Sequence, residues 1–160
     1  MDATTSLRVC LVEDDADTLE SSSKLLRVLG HQTLAANSGQ LALAQAPAWK
    51  PDVMLIDLAM PSLDGCELAR QLRSQTDFNL VPLVAVSGYV DAKHRQQAAD
   101  AGFDEFLGKP YSLDDLQGLF ARLETRIIAT RSMAEKTRAV SEATRLLYER
   151  SRAGLKRSEP

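Results

Sequence analysis

Side chains that could do chemistry follow the apolar runs of strand length in this sequence. Taken alone, an acid in such a place could be a metal ligand, a nucleophile or the cap of the next turn. A serine before a glycine is common in turns, and a single lysine is usually solvated. The side chains that follow these apolar runs are Glu13, Asp14 and Asp15 after the first run, Asp57 at the end of the third, Ser87 after the fourth and Lys109 after the fifth.

These residue types together fit one kind of chemistry. Carboxylates crowded at one place raise each other's pKa values unless a cation compensates their charge. Mg²⁺ is the obvious ion, since it is bound by one or two carboxylates together with water and phosphate oxygens. Asp57 would then be able to act as a nucleophile that forms an aspartyl phosphate. Lys109 and the Ser87 hydroxyl would supply contacts to the oxygens of the transferred phosphoryl group.

The elements that must position these residues alternate along the chain. Five strand patterns and five helical patterns predict βαβ units with right-handed crossovers, and therefore a doubly wound parallel sheet. The carboxyl ends of parallel strands lie at the same edge of a sheet, where ligands bind in open α/β folds. The strands are expected at 7–12, 31–36, 53–57, 81–86 and 103–107, and the helices at 16–29, from Ser38 to a limit at Pro47, after Gly65, at 91–101 and from Ser112 onward.

Four motifs in about residues 6–126 resemble the receiver domain of two-component response regulators. They are Leu11-Val12-Glu13-Asp14-Asp15, Asp57-Leu58-Ala59-Met60-Pro61 followed by Asp64-Gly65, Val86-Ser87-Gly88, and Lys109-Pro110. The resemblance implies a flavodoxin-like, five-stranded α/β sheet in the order 2-1-3-4-5. It also implies a cis peptide bond between Lys109 and Pro110.

The resemblance assigns roles position by position. Asp57 would be the phosphoacceptor, and the ligands of Mg²⁺ would be Glu13, Asp14, Asp57 and the backbone carbonyl of Ala59. Lys109 would contact the phosphoryl group. Ser87 and Phe106 would form a coupled switch that remodels the face made by the fourth helix, the fifth strand and the fifth helix.

The chain divides by charge after Arg126. Residues 1–126 hold 11 Lys/Arg and 18 Asp/Glu, a net charge of −7, whereas residues 127–160 hold 8 and 4, a net charge of +4. This asymmetry predicts two segments with different roles. Together with the resemblance it implies a receiver domain at 1–126 and a charged helical extension at 127–160.

The extension contains a repeat of seven residues with Met133, Val140 and Leu147 in equivalent positions. That spacing is typical of a coiled coil, but threonine and serine occupy the other core positions, so a homodimer through 127–153 would be weak. Docking on another protein and a solvated helix are the alternatives.

The expected function is that of a stand-alone, phosphorylation-controlled module of a phosphorelay rather than an enzyme. The expected partners are a sensor histidine kinase or histidine phosphotransfer protein and an unidentified downstream protein. One alternative is a transcription regulator that binds DNA through the basic extension, although its lack of interleaved aromatic residues argues against nucleic acid. A second alternative is a phosphate sink that hydrolyses its aspartyl phosphate rapidly.

Other features bear on location and on the first helix. The sequence has no apolar leader or membrane-spanning run, and its two cysteines form no disulfide or metal pattern, so a cytoplasmic protein that does not contact membranes is expected. The run Ser21-Ser22-Ser23 in the first helix is interpreted as an exposed helix face.

Overall fold

Five parallel strands form one sheet in the order β2-β1-β3-β4-β5. The structure is a computed structural model that describes residues 5–155. The strands are β1 (Arg8–Val12), β2 (Gln32–Ala36), β3 (Val53–Asp57), β4 (Leu83–Ser87) and β5 (Glu105–Gly108). The helices are α1 (Ala16–Val28), α2 (Gly39–Trp49), α3 (Gly65–Arg73), α4 (Ala92–Ala101) and α5 (Leu113–Leu155). The predicted α/β fold and strand order are therefore confirmed.

Helices cover both faces of the sheet. Successive side chains of a strand point to opposite faces, so one strand contributes residues to two cores. Cys10 and Val12 of β1 pack in a core with residues of α2, α3 and α4. Val9 and Leu11 of the same strand pack in a second core with residues of α1 and α5. All five residues of β3 are buried. This burial explains why the central strand appears in the sequence as a continuous apolar run.

Three acids begin helices close to the carboxyl edge of the sheet. Asp15, Asp64 and Asp91 each accept a hydrogen bond from the backbone N–H three residues later, at the start of α1, α3 and α4. Such caps satisfy N–H groups that have no partner within the helix. Asp15 thus has a structural contact of its own, whereas its two neighbours, Glu13 and Asp14, do not cap the helix.

Two details of the predicted elements are wrong. Helix α2 continues through Pro47 to Trp49. Proline removes one donor and lies here in the last turn, while Trp49 packs partly against the core and favours the extra turn. In α1, Ser22 and Ser23 are buried rather than exposed. They lie three and four residues after Leu19, on the helix face that continues to the buried Leu26.

The chain divides into two compact units, with the boundary between Ile127 and Ile128. In the second unit the helical pattern is present through Leu155, and the apolar side chains of the predicted repeat, Met133, Val140 and Leu147, are exposed. Residues 1–4 and 156–160, which belong to the two predicted segments, lie outside the described residues. No helix within 5–155 combines the length and apolar character needed to cross a bilayer.

Candidate functional site

The carboxyl edge of the sheet brings the predicted chemical residues together. Glu13 follows the last residue of β1, Asp57 and Ser87 end β3 and β4, and Lys109 follows β5. The backbone holds these strand ends in register, since Lys109 N–H donates to the Ser87 carbonyl at 2.8 Å and Leu58 N–H donates to the Val86 carbonyl at 3.0 Å. Residues that are far apart in sequence therefore meet at one place.

Lys109 forms two ion pairs at the centre of this edge. Its Nζ atom lies 2.6 Å from Glu13 Oε2 and 2.9 Å from Asp57 Oδ2. Partial burial alone would lower the pKa of Lys109, but the hydrogen bonds and charges of Glu13 and Asp57 outweigh it and raise the pKa above its ordinary value. The lysine is therefore held charged between the two acids.

A third acid lies beside the two that Lys109 pairs with. One carboxylate oxygen from each of Glu13, Asp14 and Asp57 lies within 4.8 Å of the others. Burial is the main reason that the pKa of Glu13 is raised, and the charge of Asp57 adds to it. Glu13 is 4% exposed and Asp57 6%, whereas Asp14 faces solvent. The cluster thus carries a surplus of negative charge, and its oxygen donors fit a hard divalent cation such as Mg²⁺.

Asp57 is held by the loop that follows it. Its Oδ1 atom accepts a hydrogen bond from Ala59 N–H at 2.9 Å. The start of α3 approaches the end of β3 so closely that a Cβ atom on Gly65 would lie 2.3 Å from the Asp57 carbonyl oxygen. Only glycine avoids this clash, so the Asp64-Gly65 pair seen in the sequence has a physical reason at this position. The role of the Ala59 carbonyl as a metal ligand remains a prediction.

Ser87 and Phe106, the predicted switch residues, lie on neighbouring strands. Ser87 is buried, and its Oγ atom accepts a hydrogen bond from Tyr89 N–H at 3.0 Å. Phe106 is half-buried, and the guanidinium carbon of Arg95 lies 4.6 Å from its ring centroid. Ser87 ends β4 at the carboxyl edge, whereas Phe106 lies opposite Ala85 within the sheet, and their coupled movement remains a prediction. The Lys109–Pro110 peptide bond is cis, as the resemblance implies.

One pair of polar residues near the site was not singled out from the sequence. The Tyr111 hydroxyl donates to Ser22 Oγ at 2.7 Å, which connects the loop after Lys109 to α1. The spacing of Ser22 and Ser23 between Leu19 and Leu26 is a signal that could have placed them on the buried face. No sequence pattern links Ser22 to Tyr111.

Known proteins resemble this chain over most of its length. The profile of the family described as response regulator receiver domain matches residues 9–121. Response regulator MprA of Mycobacterium leprae is 36% identical over 110 residues, which are 69% of this chain and 47% of that protein. MprA of Mycobacterium bovis is 35% identical over 111 residues, with the same coverage. The chain thus spans about half the length of these relatives.

Solved structures of receiver domains share the fold. The receiver domain of sensor histidine kinase PA1611 from Pseudomonas aeruginosa, with a magnesium ion coordinated in its active site cleft, gives a TM-score of 0.69 at 28% identity and covers 74% of this chain and 97% of that one. The chemotaxis protein CheY4 of Vibrio cholerae gives 0.71 at 24% identity, with 74% and 98% covered. With the family match over most of the chain and the acids, lysine and serine at one sheet edge, this chain belongs to the receiver domain family of two-component response regulators.

Proposed function

We propose that this receiver domain accepts a phosphoryl group on Asp57 and switches its contacts with other proteins in response. The observation that carries the proposal is the cluster of Glu13, Asp14 and Asp57, two of which, Glu13 and Asp57, pair with Lys109. A buried carboxylate beside a charged ammonium group and further acids is suited to a phosphoryl group that arrives with a divalent cation. A purely structural ion pair would not need the surplus acids.

The transfer step is an in-line displacement at phosphorus. An oxygen of the Asp57 carboxylate forms a bond to phosphorus while the bond from phosphorus to the ring nitrogen of a donor phosphohistidine breaks. The electron pair of that bond returns to the imidazole nitrogen, which takes a proton from solvent. Lys109 lies within 2.9 Å of Asp57 and can neutralise charge on the phosphoryl oxygens, and Ser87 can donate its hydroxyl proton to one of them.

Glu13, Asp14 and Asp57 would hold Mg²⁺, together with the Ala59 carbonyl. The PA1611 receiver domain supports this assignment, since that structure carries magnesium in its active site cleft. The ion would offset the charge of the acids and of the phosphoryl oxygens. Glu13 is held in place for this task by Asp15 N–H, which donates to Glu13 Oε1 at 3.1 Å.

The proposed partners are a sensor histidine kinase or histidine phosphotransfer protein as the donor and a downstream protein as the target. Ser87 would turn toward the phosphoryl group, and Phe106 would turn inward, which changes the surface that includes α4 and β5. The domain then acts as a signalling module and not as an enzyme. Rapid release of phosphate from a small-molecule donor would instead favour the phosphate sink.

The test is covalent phosphorylation followed by intact-protein mass spectrometry. The full chain is incubated with Mg²⁺ and acetyl phosphate, alongside Asp57→Asn and the control Asp52→Asn. Asp52 is a suitable control because it is as buried as Asp57, at 5% exposure, but lies at the opposite edge of the sheet. Wild type and Asp52→Asn are expected to gain one phosphoryl group and Asp57→Asn none. Equal labelling of Asp57→Asn would contradict the proposal.

The segment beyond Ile127 is proposed to self-associate weakly. Its exposed Met133, Val140 and Leu147 repeat every seven residues, but hydroxyl side chains stand between them. Light scattering on the full chain and on a chain ending at Arg126 tests this proposal. A dimer only with the segment present supports it, and monomers throughout contradict it. Strong, salt-dependent DNA binding by the full chain would favour the transcription-regulator alternative.

A further inference from the structure

A partly buried hydrogen bond connects two parts of the receiver domain that are distant in sequence. The Tyr111 hydroxyl donates to Ser22 Oγ at 2.7 Å. Ser22 is 5% exposed, and Tyr111 packs partly against the core between the sheet and helices α1 and α5. Burial raises the pKa of the Tyr111 phenol, so the hydroxyl keeps its proton and can donate at neutral pH.

Tyr111 and Ser22 lie on the two segments that carry the lysine and the acids of the site. Tyr111 comes two residues after Lys109, in the loop between β5 and α5. Ser22 lies on α1, which begins just after the loop that carries Glu13 and Asp14. Lys109 and Glu13 connect these same two segments through their ion pair at 2.6 Å. The Tyr111–Ser22 bond is therefore a second, uncharged connection between them.

This second connection matters most when the ion pairs of Lys109 change. In the proposed reaction Lys109 must turn part of its hydrogen bonding from Glu13 and Asp57 to the oxygens of an incoming phosphoryl group. Its loop then loses part of its attachment to the acids. The Tyr111 hydroxyl does not touch the reacting atoms, so its bond to Ser22 can remain intact throughout the step.

We propose that the Tyr111–Ser22 hydrogen bond is a positioning contact that keeps the Lys109 loop docked on α1 during phosphoryl transfer. The inference rests on the proposed function of Asp57 and Lys109. Tyr111 and Ser22 act through Lys109 and are not catalytic residues. The metal ligands have separate supports, because Asp15 N–H holds Glu13 and Ala59 N–H holds Asp57. Loss of the bond is therefore expected to affect transfer more than Mg²⁺ binding.

The neighbouring serine provides a matched control. Ser23 is as buried as Ser22, at 2% exposure, but its hydroxyl donates to the Leu19 carbonyl of the same helix at 2.7 Å. Ser23→Ala removes one buried hydroxyl from α1 without touching the connection to Tyr111. It therefore measures how much the phosphorylation rate changes when α1 loses a buried hydroxyl that does not contact Tyr111.

The experiment measures the initial rate of phosphorylation of the full chain by acetyl phosphate, using intact-protein mass spectrometry at saturating Mg²⁺. Tyr111→Phe and Ser22→Ala are each expected to lower the rate roughly fivefold, the effect of one typical hydrogen bond. The double variant is expected to be no slower than the slower single variant, because both changes remove the same bond. Ser23→Ala is expected to keep the wild-type rate, and Mg²⁺ affinity is expected to change less than about twofold.

Circular dichroism and urea unfolding show that each variant is folded at the assay temperature. Equal rates in all variants would overturn the inference, as would slowing by Ser23→Ala that matches Ser22→Ala. A slow Tyr111→Phe beside an unaffected Ser22→Ala would overturn it too, since the bond would then not be the cause. If wild type itself accepts no phosphoryl group, the proposed function fails, whereas a phosphorylated wild type with unaffected variants removes only this inference.

Discussion

Polar residues lie at both ends of the parallel strands, but their contacts differ. The end at which the strands begin is called the amino edge here, opposite the carboxyl edge that holds the site. At the amino edge, Asp52 and Asp104 stand just before β3 and β5. Asp52 Oδ2 accepts the Arg8 N–H at 2.7 Å, and Asp104 Oδ2 accepts the Leu83 N–H at 2.8 Å. Each acid thus connects the start of its own strand to that of a neighbour.

Arginines at the amino edge pair with these acids. Arg8 lies 3.9 Å from Asp52, and Arg126 lies 2.7 Å from Asp104. Arg73 donates to the carbonyl oxygens of Gly102 at 3.0 Å and Val81 at 2.9 Å, to that of Phe78, and to Asp104 Oδ2 at 2.7 Å. Burial lowers the pKa of Arg73, and Asp104 opposes that effect. The acids and arginines are matched there with one another and with backbone groups, as expected for polar groups that only support a fold.

The carboxyl edge lacks this balance. Within residues 5–155, Lys109 is the one basic side chain paired with Glu13 and Asp57, and Asp14 adds a third carboxylate to the cluster. Burial of a charged residue is therefore not sufficient to identify a functional site, since Asp52 and Asp57 are equally buried. The surplus of like charge distinguishes the two edges, and it is costly unless a ligand compensates it.

The largest expected effect on stability lies at the amino edge. Arg73→Met should lower the free energy of unfolding by about 3 kcal/mol, because several backbone carbonyl groups lose a partly buried donor. Asp104 also loses one charged partner, although it keeps its ion pair with Arg126. Urea denaturation measures this change. Arg70→Met, which removes an exposed helical ion pair with Glu67, should change it by less than about 0.5 kcal/mol. Similar losses in both variants would contradict a structural role for the Arg73 cluster.

A matched pair of substitutions compares the two edges directly. Asp52→Ala should cost about 1–3 kcal/mol, since the partly buried Arg8 N–H loses its acceptor. Asp57→Ala should cost less than about 1 kcal/mol, because the loss of repulsion with Glu13 and Asp14 offsets the lost contact with Lys109. Urea unfolding without Mg²⁺ measures both. A larger cost for Asp57→Ala would mean that the carboxyl edge is also built for stability.

The smallest expected effect is a pH dependence at the amino edge. His31 Nδ1 accepts the Leu7 N–H at 3.3 Å, and burial lowers the pKa of this histidine in the folded protein. As pH falls below about 6.5, the unfolded chain binds a proton at His31 that the folded chain resists, so stability decreases. The stability difference between wild type and His31→Gln should therefore shrink from about pH 7.5 to about pH 5.5. A constant difference would show that His31 does not titrate differently on folding.

The sequence was sufficient to predict the sheet and the carboxyl edge. Each functional side chain there follows an apolar run, so the topology of a parallel sheet places Asp57, Ser87 and Lys109 together without further information. The buried strand β3 and the glycine after Asp64 carry clear local signals. The helix ends at Gly30 and Gly102 do as well, since both glycines have positive φ values of 85° and 105°.

The amino edge could not be predicted in the same way. The sequence pattern places Asp52 just before the third strand and Asp104 within the fifth, and nothing near Arg73 in the sequence indicates its carbonyl partners. These contacts depend on the packing of several loops, which no periodic pattern records. The same limit applies to Tyr111 and Ser22, whose hydrogen bond joins residues 89 positions apart.

Stability as a function of Mg²⁺ concentration tests most directly whether surplus charge marks the site. At constant ionic strength, wild type should gain about 2.7 kcal/mol of unfolding free energy at 100 times the dissociation constant. Asp52→Asn should show the same gain from its own lower starting stability. In Asp14→Asn and Asp57→Asn the gain should be much smaller at the same Mg²⁺ concentration. A wild-type stability that does not respond to Mg²⁺, or an equal gain in all four proteins, would contradict the account.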